Sequence, residues 1–121
     1  MSSVEKRRNF VIAGHSGSGK TTLCEAILLA GGAINRIGSI DAKSTVSDFM
    51  ADEQEKQSSI YASVLNCKYN DTELFFVDTP GYGEFVGQYI SAVRAADAAM
   101  VVVDCVDGPQ FGTARAWRLA K

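Results

Sequence analysis

Gly14-His15-Ser16-Gly17-Ser18-Gly19-Lys20-Thr21 follows the short apolar run Phe10-Val11-Ile12-Ala13 and leads into Thr22-Leu23-Cys24-Glu25-Ala26-Ile27-Leu28-Leu29-Ala30. The octet satisfies the spacing GxxxxGK[ST] at every position. Each demanded residue has a physical reason. Gly19 lets backbone come close to a phosphate, and the N–H groups from Gly17 to Thr21 form a nest for phosphate oxygens. Lys20 sets a point charge between a β- and a γ-phosphate, and the Thr21 hydroxyl is placed to ligate Mg²⁺. A helix starting near Lys20 adds the positive end of its dipole. A chance match in a chain of this length is on the order of one in a few hundred. Here the octet also lies between a predicted strand and a predicted helix, the context its mechanism requires. The expected nucleotide-binding set is Gly14, His15, Ser16, Gly17, Ser18, Gly19, Lys20, Thr21 and Thr22, with Lys20 also serving catalysis. For His15 the backbone matters more than the ring.

Outward from the octet the chain alternates strands and helices. Leu23, Ile27 and Ala30 recur at helical spacing, supported by Ala26 and Leu28, and Gly31-Gly32 is a natural stop. Residues 33 to 59 are polar and without sustained periodicity, longer than an ordinary connection, which predicts a functional loop with a short helix near Asp48 to Lys56. Ile60 to Tyr69 and Glu73 to Val77 read as two strands joined by turn residues, an antiparallel hairpin. Phe85 to Ala95 reads as a helix. Ala98 to Val103, bounded by Asp97 and Asp104, reads as a strand buried on both faces. After the breaker Gly108-Pro109, a last helix is predicted over Thr113 to Ala120, with Trp117 in the core or packed against sequence beyond these residues. The class is α/β: a P-loop NTPase with a mostly parallel sheet, one antiparallel hairpin and helices on both faces.

Bulk properties bound the reading. A chain of 121 residues accommodates one hydrophobic core. Twelve basic and fourteen acidic side chains give a net charge of −2, which exerts no global pull on nucleic acid. Lys6-Arg7-Arg8 is too short to change that and reads as a solvated end. Cys24, Cys67 and Cys105 are widely spaced, with no CxxC pair, so a zinc site and a disulfide framework are unsupported. They read as core fillers in a protein of a reducing compartment, most simply the cytoplasm. No apolar stretch suggests a membrane span or a signal peptide.

Asp78-Thr79-Pro80-Gly81 closes the second strand of the hairpin. In P-loop NTPases an acidic residue at the end of a neighbouring strand orients Mg²⁺. Gly81 then offers its N–H to the γ-phosphate, so that losing the phosphate releases the segment that follows. One of Asp104 and Asp107 reads as a turn or helix cap, in preference to a metal ligand, and Arg94 as a solvated helix face, with an arginine finger in cis as the alternative.

Three stretches together resemble the translational GTPases, and among them elongation factor G and its paralogues. They are AGHSGSGKTTLCEAIL (13–28), DEQEKQSSI (52–60) and FFVDTPGYGEFVGQYISAVRAADAAMVVVDCVDGPQ (75–110). The resemblance covers nearly the whole chain, and the third stretch is more specific than the octet alone. It implies GTP and GDP as ligands, Mg²⁺ as cofactor, and a ribosome as the partner of the complete protein, with no direct binding to DNA or a membrane and a monomeric state. It implies that Asp52 to Ile60 closes a first switch loop and that Asp78 to Tyr82 opens a second. Ser59 falls where the family places its Mg²⁺-binding threonine, so the implied metal set is Thr21, Ser59 and Asp78.

The chain departs from the family pattern in four places. Gly81-Tyr82 replaces the usual glycine-histidine whose ring positions the attacking water, so Tyr82 takes the catalytic position and the resemblance does not fix the rate: either the tyrosine hydroxyl partly substitutes or GTP is turned over slowly. Gly17 stands where an aspartate is common. Lys56-Gln57-Ser58-Ser59 replaces arginine-glycine-isoleucine-threonine. The NKxD motif that selects guanine does not occur before Lys121. Residues 1–121 therefore look like the first part of a larger G domain, an incomplete one that exposes apolar surface along its last strand and helix. Guanine selectivity rests on resemblance. The competing readings are a P-loop ATPase or kinase, and a paralogue that holds GTP with little hydrolysis.

Overall fold

The computed structural model describes residues 4–36, 62–81 and 86–121. After a single 3-10 turn at Val4–Lys6 come β1 (Arg7–Gly14), α1 (Lys20–Ala30), β2 (Ser63–Tyr69), β3 (Thr72–Asp78), α2 (Val86–Ala95), β4 (Ala98–Val102) and α3 (Phe111–Ala120). The predicted helix near Asp48 to Lys56, the first switch loop with Ser59, and Tyr82 all lie outside the described residues.

The sheet order is β2-β3-β1-β4. β1 runs parallel to both β3 and β4, and β2 pairs antiparallel with β3. The expected hairpin is present, and Asn70 and Asp71 both take positive φ at its tip. Asparagine and aspartate tolerate that region better than other side chains, which is why the chain turns there. Because the parallel strands share a direction, Gly14, Asp78 and Val102 finish along one edge of the sheet. Ligands of open α/β sheets bind in the crevice outside that edge.

Alternation along β1 divides the core. Ile12, with Phe76, Leu65 and Cys67, packs against Cys24 and Leu28 of α1. Val11 and Ala13 face Tyr89 and Ala92 of α2 and Ala116 of α3. Phe10 stacks on Phe76 with ring centroids 5.4 Å apart. The Tyr89 hydroxyl donates to the Ala116 carbonyl at 2.8 Å, which ties α2 to α3. Burial pushes the Tyr89 phenol up from its usual range.

Five expectations are corrected. First, β1 begins at Arg7, not Phe10. Its first residues are charged and exposed, yet they pair in register with Glu73 and Leu74, and Arg7 Nε reaches Glu73 Oε2 at 3.1 Å. Second, α1 buries Thr21, Cys24, Glu25 and Leu28, whereas Leu23 is half-buried and Ala30 exposed. The inward stripe is set by Thr21, which must point toward the end of β3. Third, among the described residues β4 is not covered on both faces. Among the described residues it has one neighbouring strand, and Ala98, Ala99 and Met100 are exposed, Met100 by 43%. Fourth, Trp117 is 62% exposed and lies outside the core. Apolar surface along the last strand and helix is therefore present as expected. Fifth, Cys105 is exposed in the turn after β4, although Cys24 and Cys67 are core residues as read.

Helix ends follow their local chemistry. At the C-terminus of α1, Ala33 N–H bonds to the Leu28 carbonyl and Gly32 N–H to the Leu29 carbonyl, with Gly32 at φ 72°. This is a Schellman closure, and glycine takes the left-handed position at little cost. α3 begins at Phe111, two residues before the expected Thr113, because Gln110 and Thr113 form a reciprocal capping box. Asp104 caps the turn after β4: its Oδ1 accepts from Val106 N–H at 2.7 Å and Asp107 N–H at 3.0 Å.

Candidate nucleotide site

The site lies where the loops after β1 and β3 meet the first turns of α1 and α3. Gly17 and Gly19 adopt φ 78° and 98°, conformations a side chain makes costly, and a Cβ at either position would meet no atom within 4 Å. Gly19 is the left-handed N-cap of α1 and supplies no side-chain cap. The first-turn amides of α1 are therefore not covered by a capping side chain, the arrangement that suits an anion. Lys20 is buried, and its Nζ donates to the His15 carbonyl at 2.9 Å, so the ammonium is folded back over the loop. The Ser18 N–H bonds to the same carbonyl at 3.2 Å.

The loop after β3 closes against this cradle. Asp78 and Thr79 are fully buried. The Thr79 hydroxyl donates to the Ile12 carbonyl at 2.6 Å and anchors the loop to the central strand. The Thr21 hydroxyl donates to Asp78 Oδ2 at 2.7 Å. Gly81 lies directly on the phosphate loop: a Cβ there would fall 2.5 Å from Ser16 N and 2.6 Å from Lys20 Nζ. Only glycine fits at this approach.

Of the residues expected from sequence, Gly14 to Thr21, Asp78 and Gly81 are brought together. Thr22 follows on the exposed side of α1. Ser59 and Tyr82, expected as a metal ligand and as the catalytic group, fall outside the described residues. The donor chemistry of Thr21 and Asp78 fits a small hard cation, since a hydroxyl and a carboxylate oxygen meet at hydrogen-bond distance beside the phosphate cradle. Among the described residues no cluster of three or more His, Cys, Asp or Glu could hold a metal by itself. Such a site suits Mg²⁺, which takes one or two protein oxygens and fills its remaining positions with water and phosphate.

Two contacts are not legible from motifs. The His15 ring, secondary on the sequence reading, accepts the Gly112 N–H on Nδ1 at 3.0 Å and so ties the phosphate loop to the start of α3. Gly112 is packed so close that a Cβ would sit 2.7 Å from that nitrogen. Arg115, one turn further along, donates from Nη2 to the Gly81 carbonyl at 3.3 Å. Sequence offers little signal here, because Gly112 precedes the helix predicted from Thr113. Its place in the first turn of the observed helix, which propensity disfavours, is explained by the close approach to His15.

Comparison with known proteins accords with this geometry. Residues 5–121 match the family model of the elongation factor Tu GTP-binding domain. The chain is 40% identical over 111 residues to an elongation factor G-like protein of Mycobacterium tuberculosis, covering 92% of this chain and 16% of that protein. It is 36% identical over 122 residues to peptide chain release factor 3 of Staphylococcus carnosus, covering 98% of this chain and 24% of the relative. The chain thus spans a quarter or less of these relatives. A crystal structure of a protein from Thermus thermophilus superimposes with a TM-score of 0.91 at 40% identity, over 93% of this chain and 17% of that one. A bacterial selenocysteine-specific elongation factor gives a TM-score of 0.71 at 26% identity, over 93% of this chain and 18% of the other. No helix among the described residues is long and apolar enough to cross a membrane. With a family model spanning all but its first four residues, the chain belongs to the translational GTPases.

Proposed function

We propose that residues 1–121 form the first part of a G domain that binds GTP and GDP with Mg²⁺ and acts as a γ-phosphate-sensing switch. The complete protein would act on the ribosome in the cytoplasm as a monomer, coupling nucleotide state to docking and release. The carrying observation is the approach of Gly81 to Ser16 and Lys20. A loop that lies against the γ-phosphate end of the cradle is one whose position depends on whether that phosphate is present.

The roles of the chain's own residues follow from their positions. Gly17 and Gly19 keep the loop open for oxygens, and the N-terminus of α1 supplies a fixed positive potential. Lys20, held over the loop by the His15 carbonyl, is positioned to move onto phosphate oxygens. Thr21 and Asp78 would hold the cation, Thr21 directly and Asp78 through water, with Ser59 as the further ligand implied by resemblance. When bound, Mg²⁺ would supply positive charge that offsets the negative charge developing on phosphate oxygens. Tyr82 stands where the family carries a water-positioning histidine. That favours a second, finer reading in which GTP is held and hydrolysed slowly.

Competition between GTP and ATP for the complete protein tests the first reading. A clear preference for ATP would overturn it in favour of a P-loop ATPase or kinase. Substituting Tyr82→His and following phosphate release with ribosomes tests the second. A rise in rate supports it, and an unchanged rate removes the tyrosine as the limiting feature.

A further inference from the structure

The first two turns of α3 touch both loops that form the cradle. Gly112 donates its backbone N–H to His15 in the phosphate loop, and Arg115 donates to the carbonyl of Gly81 in the loop after β3. This stretch is itself fixed. The Gln110–Thr113 capping box closes its start, and the Tyr89 hydroxyl bonds the Ala116 carbonyl beyond it. Arg115 is held too, its guanidinium carbon 5.6 Å above the ring centroid of Phe111, four residues earlier on the same face. Such a cation–π contact limits how far the side chain swings.

Gly81 has no side chain with which to hold itself against Ser16 and Lys20. Its carbonyl is anchored instead by a charged donor from a neighbouring helix. A loop pinned in this way loses less entropy when a ligand contacts it, and ligands that do not reach it gain nothing. On the switch reading above, the γ-phosphate of a triphosphate reaches Gly81, whereas a diphosphate stops short of it. We propose that Arg115 is a positioning residue that holds the Gly81 peptide against the phosphate loop and so biases the site toward the triphosphate. The proposal rests on the GTP-switch reading above and concerns how that switch is set.

The test is titration of the complete protein with GDP and with a non-hydrolysable GTP analogue, in the wild type and in Arg115→Met, Arg115→Lys and Phe111→Ala. The expected result for Arg115→Met is about tenfold weaker analogue binding with GDP affinity changed by less than about twofold, the scale of one charge-assisted hydrogen bond. Arg115→Lys recovers part of the loss because it keeps a charged donor. Phe111→Ala, which keeps the donor and removes the ring beneath it, shifts the same ratio by a smaller factor. Equal weakening of both nucleotides, or no change in either, overturns the role of Arg115 while leaving the switch reading intact. A wild-type protein that binds neither nucleotide overturns both.

Discussion

The Thr21 hydroxyl donates to Asp78 Oδ2 across 2.7 Å, joining the first turn of α1 to the last residue of β3 although 57 positions separate them. Both groups are buried. The pair therefore defines a preformed oxygen site at the mouth of the phosphate loop, and its removal has a specific expected signature. In Thr21→Ala, nucleotide affinity measured with Mg²⁺ falls by about 10- to 100-fold, the range seen when groups around a metal are lost. With the metal chelated, wild type and variant converge. Titrations with and without chelator check this, and a variant that still gains affinity from Mg²⁺ as the wild type does would exclude Thr21 as a ligand.

Gly81 gives the next expectation. A Cβ at this position collides with Ser16 N and Lys20 Nζ, so Gly81→Ala forces the loop off the cradle. The expected outcome is a fall of about tenfold or more in affinity for a GTP analogue, at least about 1.4 kcal/mol, with GDP binding retained. Calorimetric titration of the two ligands reads it. Equal affinities for both in the variant and the wild type would mean that Gly81 does not meet the γ-phosphate.

Phe76 anchors the α1 side of the sheet. It is fully buried in β3 and stacks on Phe10. Phe76→Ala removes that ring from a packed interior and is expected to cost about 3–5 kcal/mol. Urea unfolding followed by circular dichroism measures the loss, and a cost below about 1 kcal/mol would contradict the packing described, since surface changes fall in that range.

Asp104 supplies a pH-dependent element. The Asp107 and Val106 backbone N–H groups hold its carboxyl below the usual carboxylate range. Because the folded value lies below the unfolded one, the turn's contribution is complete above the unfolded value and disappears as pH falls through the folded one. Carboxyl-carbon chemical shifts should show Asp104 titrating below an ordinary aspartate, and Asp104→Asn should remove this part of the acid sensitivity while keeping an acceptor. Titration at or above the ordinary value would show that the turn is not held in this way.

The local parts of the site are readable because their chemistry is written within a few residues. Gly14 to Thr21 carries its own loop, helix start and charge, and Asp78 to Gly81 ends a strand that alternation locates. The hairpin turns where Asn70 and Asp71 place it. What sequence does not show depends on which elements meet. His15 bonds Gly112 over 97 positions, and Arg115 reaches Gly81 over 34, so neither partner is implied by any local pattern. Apolar periodicity misplaces the inward stripe of α1 because Leu23 and Ala30 satisfy it, whereas the orientation is dictated by Thr21 pointing at Asp78. A continuous apolar run makes β4 look covered on both faces, yet among the described residues Ala98, Ala99 and Met100 are exposed. Arg7 and Arg8 hide the start of β1, since charged residues read as loop until a neighbour such as Glu73 accounts for them.

Loss of the ammonium beneath the triphosphate is the most direct measurement. Lys20 is buried in the phosphate loop with its Nζ 2.9 Å from the His15 carbonyl. Titration of GTP against the complete protein should show saturable binding in the wild type and none within the accessible range in Lys20→Ala, with the two proteins unfolding at similar temperatures. Near-wild-type GTP affinity in Lys20→Ala would contradict the assignment of residues 14 to 21 as the phosphate-binding site.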